Sequence, residues 1–215
     1  MKSFEIVTEA DARVLEIGET IVLKKGGHVT PLAADTLAAR RIIVLADDRL
    51  QSADENLAPV AAIRRVAIGS DHGGLALKAA ITAALRGKGV AVDDLGTLTP
   101  DPVDYPDTAA RVAKVVARGE ADAGIVIDGA GIGSAIAANK VRGVRAAMCP
   151  DETIARYSRE HNGANVITLG SSLLAGPEAA IRIVDTWLGT AMRESRYIRR
   201  LLKVRRLEER FARGD

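Results

Sequence analysis

The chain has 215 residues, 47% hydrophobic and 27% charged, which excludes a disordered polymer and leaves room for one globular domain with an appendage. Thirty basic against 28 acidic side chains give a formal charge of +2, so no global field argues for a nucleic-acid or membrane partner. No run approaches about 18 apolar residues, "MKSFEIVTEADARV" has no apolar signal core, and the one cysteine, Cys149, cannot form an internal disulfide; a reducing cytoplasm is the expected compartment.

Residues 1–64 read as an extension and linker. "ETIVLKKGGHVTPLAADTLAARRIIVL" predicts a strand, a Gly-Gly turn, and a helix entered through Thr30 as N-cap with Pro31 at its first position. "ADDRLQSADENLAPVAA" then has the composition of a polar linker, and no repeat or low-complexity tract follows. From "RRVAIGSDHGG" onward, short Val/Ile/Ala runs alternate with amphipathic segments of helix length. Strands are expected near Val66–Gly69, Val90–Leu95, Ala123–Ile127, Arg145–Cys149 and Val166–Leu169. Helices are expected near Leu75–Gly87, Thr108–Arg118, Gly133–Lys140, Glu152–His161 and Pro177–Thr190, and a helical tail over 191–215. The fold class is therefore α/β: over 65–190, a doubly wound five-stranded parallel sheet, Rossmann-like with flavodoxin-like order, preceded by a small α+β extension. Ligands of such sheets sit outside the carboxyl ends of the strands, which draws attention to Asp71, His72 and Asp128.

The segments "GSDHGGLALK", "VDYP", "GEADAGIVI", "GAGIGSAIAANKVRGVRAA", "EHNGANVITLG" and "IVDTWL" occur in one order over residues 65 to about 204. In that order and spacing the chain resembles the ribose-5-phosphate isomerase B family, which also holds the galactose-6-phosphate isomerase subunits. The resemblance implies metal-free aldose–ketose isomerisation of a phosphorylated sugar through a cis-enediolate. It also implies a site shared between the subunits of a homodimer, with pairing into tetramers left open. Separately, "HVTPLAADTLAARRI" resembles a small element of some ethanolamine-utilisation and related microcompartment proteins; a bacterial microcompartment association and an oligomer-stabilising arm are its two readings.

Such chemistry asks for a base at C2, donors for the enediolate oxygens, an acid/base pair for ring opening and cations for phosphate. Asp71 and His72 follow the first core strand, His161 and Asn162 sit at a helix end, and Tyr105 is placed as a wall of the sugar pocket. The backbone N–H groups of Gly129, Ala130, Gly131 and Gly133 open a helix and form an anion hollow. Arg196 and Arg200 lie one helical turn apart, a spacing that lets both guanidinium groups face one phosphate. Each has a plainer role: His72 as a cap, His161 as a helix C-terminal cation, Tyr105 as packing beside Pro106, the arginines as a solvated face. Cys149 reads as a small buried residue closing a strand.

The loop departs from the family pattern. Asp128 stands where many members hold a cysteine, within Cys-Gly-Thr-Gly, that acts as the C2 base, and Ala130 replaces the threonine linked to ring opening. Ser134 lies near the glutamate of another lineage, and Ser172 stands where an arginine is usual. Asp128 is then either the C2 base or a cap of the helix beginning at Gly133, the latter in a family member that binds a sugar phosphate without turnover. "GAGIGSA" has G-x-G-x-G spacing and follows the third strand, so NAD is not expected. His28, His72 and His161 are far apart in sequence, and neither a metal nor another cofactor is expected.

Overall fold

The computed structural model describes residues 2–46, 62–192 and 195–212; nearly all of the expected polar linker lies outside them. The chain divides into two compact units, Met1–Ala58 with Glu194–Leu202 and Pro59–Arg193 with Lys203–Asp215.

The first unit contains β1 (Ser3–Val7), α1 (Glu9–Val14), β2 (Thr20–Val29), α2 (Pro31–Ala39) and β3 (Ile43–Ala46). Its three strands are parallel in the order β1-β2-β3, so the extension is a βαβαβ unit rather than α+β. Each connection carries a helix, which returns the chain to the same end of the sheet. A capping box starts α1, with Thr8 and Asp11 exchanging backbone and side-chain hydrogen bonds. Thr30 is the N-cap of α2 and Pro31 its first residue, though the Thr30 side chain makes no cap bond.

The Gly-Gly turn is a correction: Gly26 and Gly27 lie inside β2. Opposite them the β1 register jumps, from Phe4↔Leu23 to Ile6↔His28, so β2 carries a bulge. Gly26 supplies φ 80°, and a Cβ on Gly27 would fall 2.4 Å from the Glu5 carbonyl oxygen. Val7, Ala12, Leu15, Ile21, Ala33, Leu37 and Ile42 form this unit's core.

The second unit begins with β4 (Arg65–Ser70), a 3-10 turn (His72–Gly74), α3 (Leu75–Gly87), β5 (Ala91–Asp94) and α4 (Tyr105–Ala117). It continues with β6 (Ala123–Asp128), α5 (Ile132–Ala138), β7 (Ala146–Met148), α6 (Glu152–Glu160), β8 (Val166–Gly170) and α7 (Pro177–Gly189), before α8 (Ser195–Phe211), whose residues are divided between the two units. The five strands are parallel in the order β5-β4-β6-β8-β7. The last two are exchanged relative to a flavodoxin-like order. Burial gives the reason: every residue of β8 is buried, whereas β7 has three residues, all half-exposed, and suits an edge.

The apolar stripe of α3, Leu77, Ile81 and Leu85, packs with Ile68, Ile125, Ile127 and Trp187 on one face of this sheet, while Ala67, Val112, Val126 and Val166 fill the other. Arg159, fully buried in α6, lies 4.7 Å from the Trp187 ring centroid and donates to the carbonyls of Ala164 and Thr190. Burial draws its pKa down to about 10, so it is still cationic at neutral pH. No helix among the described residues is long and apolar enough to cross a membrane.

From β4 the chain steps outward to β5, then returns past β4 to β6. The carboxyl ends of β4 and β6 therefore flank a topological switch point.

Candidate active site

At the end of β4 the Asp71 N–H donates to the Ile127 carbonyl at 3.0 Å, tying the two strand ends together. Asp71 Oδ1 accepts from the N–H groups of Gly73 and Gly74 at 2.9 and 3.1 Å, which shapes the 3-10 turn leading into α3. A Cβ on Gly74 would lie 2.7 Å from Ile127, so only glycine lets this turn rest on β6. His72 is exposed, and its Nδ1 accepts from the Val103 N–H at 3.3 Å. In a neutral ring that contact assigns the proton to Nε2.

Asp128 ends β6 and is 4% exposed. Its Oδ1 accepts from the Ala130 N–H at 2.8 Å and from the Gly131 N–H; its Oδ2 accepts from the Ser134 N–H at 2.9 Å and from the Ser134 hydroxyl. Two carboxylate oxygens offer about four acceptor positions, so this set fills them. The hydrogen bonds compensate the burial of the charge, and the first turn of α5 favours an anion there. The anion hollow expected from Gly129, Ala130, Gly131 and Gly133 is thus partly filled by the protein's own carboxylate. This is the bonding pattern of a helix cap, with donors on both oxygens of Asp128.

The neighbouring strand end supports the loop. Ser171 and Ser172 donate their N–H groups to the carbonyls of Asp128 and Gly129 at 2.8 and 3.0 Å, and Thr168 Oγ1 donates to the Gly131 carbonyl at 2.7 Å. Gly131 has φ 75°, which only glycine adopts without strain. The Tyr105 ring overlies Gly133, where a Cβ would sit 2.5 Å from Cζ. Tyr105 is therefore a wall of the first turn of α5.

His161 and Asn162 are not beside Asp128 within one chain. They follow α6, which runs from the carboxyl end of β7 back toward the start of β8. A strand's length, roughly 15–20 Å, separates the two ends of the sheet. His161 stacks on Tyr157 with centroids 4.8 Å apart, and Asn162 Nδ2 donates to the Tyr157 carbonyl at 3.4 Å. Arg200 is exposed and belongs to the first unit, its guanidinium 5.6 Å from the Tyr197 ring centroid. The Arg196 side chain lies outside the described residues.

Sequence reasoning overlooked Lys78, which is 3% exposed and donates to Asp94 at 2.8 Å and to the Thr97 carbonyl at 2.6 Å. This pair braces the loop after β5 against the end of β4, where Thr97 N–H meets the Ser70 carbonyl at 3.3 Å. Lysine and threonine within otherwise apolar segments, at Lys78 and Thr168, were the available signals. Cys149 is buried, and desolvation pushes its thiol up to about 11. Among the described residues no three His, Cys, Asp or Glu side chains group so as to hold a metal ion.

Comparison with known proteins adds an independent line. Ribose-5-phosphate isomerase B of Escherichia coli (strain K12) is 43% identical over 148 residues, covering 69% of this chain and 99% of that protein. A D-erythrulose-4-phosphate isomerase of Pectobacterium atrosepticum is 42% identical over 124 residues, covering 57% of this chain and 81% of its own length. The solved structure of Clostridium thermocellum ribose-5-phosphate isomerase B matches with a TM-score of 0.67 at 46% identity, over 68% of this chain and 99% of that one. The family model described as Ribose/Galactose Isomerase matches residues 66–204. With that match over residues 66–204, on a five-stranded parallel sheet, the chain belongs to the ribose/galactose isomerase family.

Proposed function

We propose that the chain is an aldose–ketose isomerase of a phosphorylated sugar, moving a proton between C2 and C1 through a cis-enediolate. The observation that carries this reading is the convergence of Asp71, His72 and the Asp128-held loop at the carboxyl ends of β4 and β6 in a chain of this family. Carboxylates and an imidazole supply acid and base, and the sheet's switch point supplies the crevice. His161 and Asn162 lie at the other end of the sheet, so a site that uses them takes them from a second copy of the chain. A homodimer with two shared sites follows, and the arginines of α8 are its candidates for phosphate. The expected compartment is the cytoplasm. For the first unit, a stabilising arm or a microcompartment link remains the proposal.

The sugar is open between four and six carbons. Ribose 5-phosphate is the default from the Escherichia coli relative, and a tetrose 4-phosphate is the rival from the Pectobacterium one. A tetrose 4-phosphate has no free 4-hydroxyl and stays open-chain, which suits a loop with alanine at position 130. The saturated Asp128 favours a second reading, binding without turnover. One screen separates these: exchange of the C2 proton into deuterated water with erythrose 4-phosphate, ribose 5-phosphate and galactose 6-phosphate. Exchange with at least one is expected, and none would sink the isomerase reading. Sharing of the site is tested by mixing Asp71→Asn with His161→Ala chains. Activity should reappear on subunit exchange; two inactive parents whose mixture stays inactive would contradict a shared site.

A further inference from the structure

The isomerisation proposed above needs one group that accepts the C2 proton and returns it at C1, and the two carboxylates at the switch point differ in their fitness for it. Asp128 is buried and has donors on both oxygens; a proton arriving on either would displace a loop amide or the Ser134 hydroxyl. Asp71 is held by one oxygen only. Its Oδ1 takes the N–H groups of Gly73 and Gly74, while Oδ2 has no hydrogen bond among the described residues and the side chain is half-exposed. A carboxylate anchored through one oxygen is oriented without being saturated, which is what a proton-transfer base requires.

We infer that Asp71 is the proton-transfer base and that Asp128 is a positioning residue that fixes the loop from Gly129 to Ser134; this rests on the isomerase reading. Asp71 Oδ2 takes the C2 proton, the C2–H electron pair becomes the C1=C2 bond, and the carbonyl pair moves onto O1. The O2 proton then passes to O1, the O2 pair forms the C2=O bond, and the C1=C2 pair takes a proton from Asp71, whose half-exposed carboxyl trades protons with solvent while the enediolate is bound, so that turnover in deuterated water is read as exchange. The carboxylate ends as it began, and no co-reactant is consumed.

The test uses the full chain and the three sugar phosphates named above, with C2-proton exchange and amide hydrogen exchange of Ala130, Gly131 and Ser134 as paired readouts. Asp71→Asn should lower the exchange kcat about 1,000-fold or more with KM nearly unchanged and the loop amides still protected. Asp128→Asn should expose those amides and raise KM, with kcat falling far less than in Asp71→Asn. Ser134→Ala, a milder loosening, gives the same KM-weighted pattern should Asp128→Asn fail to fold. An Asp71→Asn chain that keeps more than about a tenth of wild-type exchange would overturn the assignment. So would loss of exchange in Asp128→Asn as complete as in Asp71→Asn with the loop amides still protected. A wild-type chain that exchanges none of the sugars overturns the isomerase reading itself, which distinguishes the two failures.

Discussion

Two glycines of the same loop system should respond oppositely to one methyl group. A Cβ on Gly170 would lie 2.7, 2.8 and 3.1 Å from the O, C and Cα atoms of Ala130, all backbone, so no rotamer change can relieve it. Gly170→Ala must shift either the end of β8 or the loop held by Asp128, and overpacking of this kind costs about 1–3 kcal/mol, here toward the upper end. Gly129 is the control: nothing lies within 4 Å of its Cβ position, and its φ is not positive. Gly129→Ala loses unfolded-state entropy and should be neutral or stabilising by up to about 1 kcal/mol. The gap between the variants is then about 3 kcal/mol, or roughly 1.5 M in urea midpoint for a slope near 2 kcal/mol/M. Trp187 is the one tryptophan and is buried in the second unit, so its fluorescence reports the unfolding of that unit. Midpoints that coincide would refute the claim that backbone proximity, rather than glycine content, sets the tolerance of this loop.

Lys78→Met should cost about 1–2 kcal/mol, because it leaves the Thr97 carbonyl without its donor while the exposed Asp94 carboxylate turns to water; urea unfolding followed at Trp187 checks it. Cys149 should resist iodoacetamide in the native chain at pH 8, since burial keeps it a thiol. Its pKa is raised from 9.0 to about 11, so its contribution is fully present below pH 9 and is lost as the pH rises toward 11; the wild-type minus Cys149→Ala stability difference should fall by about 2 kcal/mol across that window. Gly133→Ala should push the part-exposed Tyr105 ring aside at a stability cost under about 1 kcal/mol and raise KM, measured by isomerase kinetics.

Much of the second unit is written in local pattern. The helix expected over Leu75–Gly87 is found at those bounds, and each of the five expected strands is present within a residue or two, because apolar periodicity and Gly or Pro punctuation act over a few residues. The placement of Asp71, His72 and Asp128 at strand carboxyl ends was equally legible, since strand direction follows from parallel connections. The exchange of β7 and β8 was not, because which strand takes the edge depends on the burial that every other element provides. Gly26 and Gly27 read as a turn in isolation and became a bulge only against β1. Asp128 shows the division most clearly. Its sequence position permits a base or a brace, and only the folded loop brings the amides of Ala130, Gly131 and Ser134 onto its carboxylate. Side-chain identity sets what a group can do, whereas the donors brought to it across the fold decide how many of its lone pairs are left to do it with.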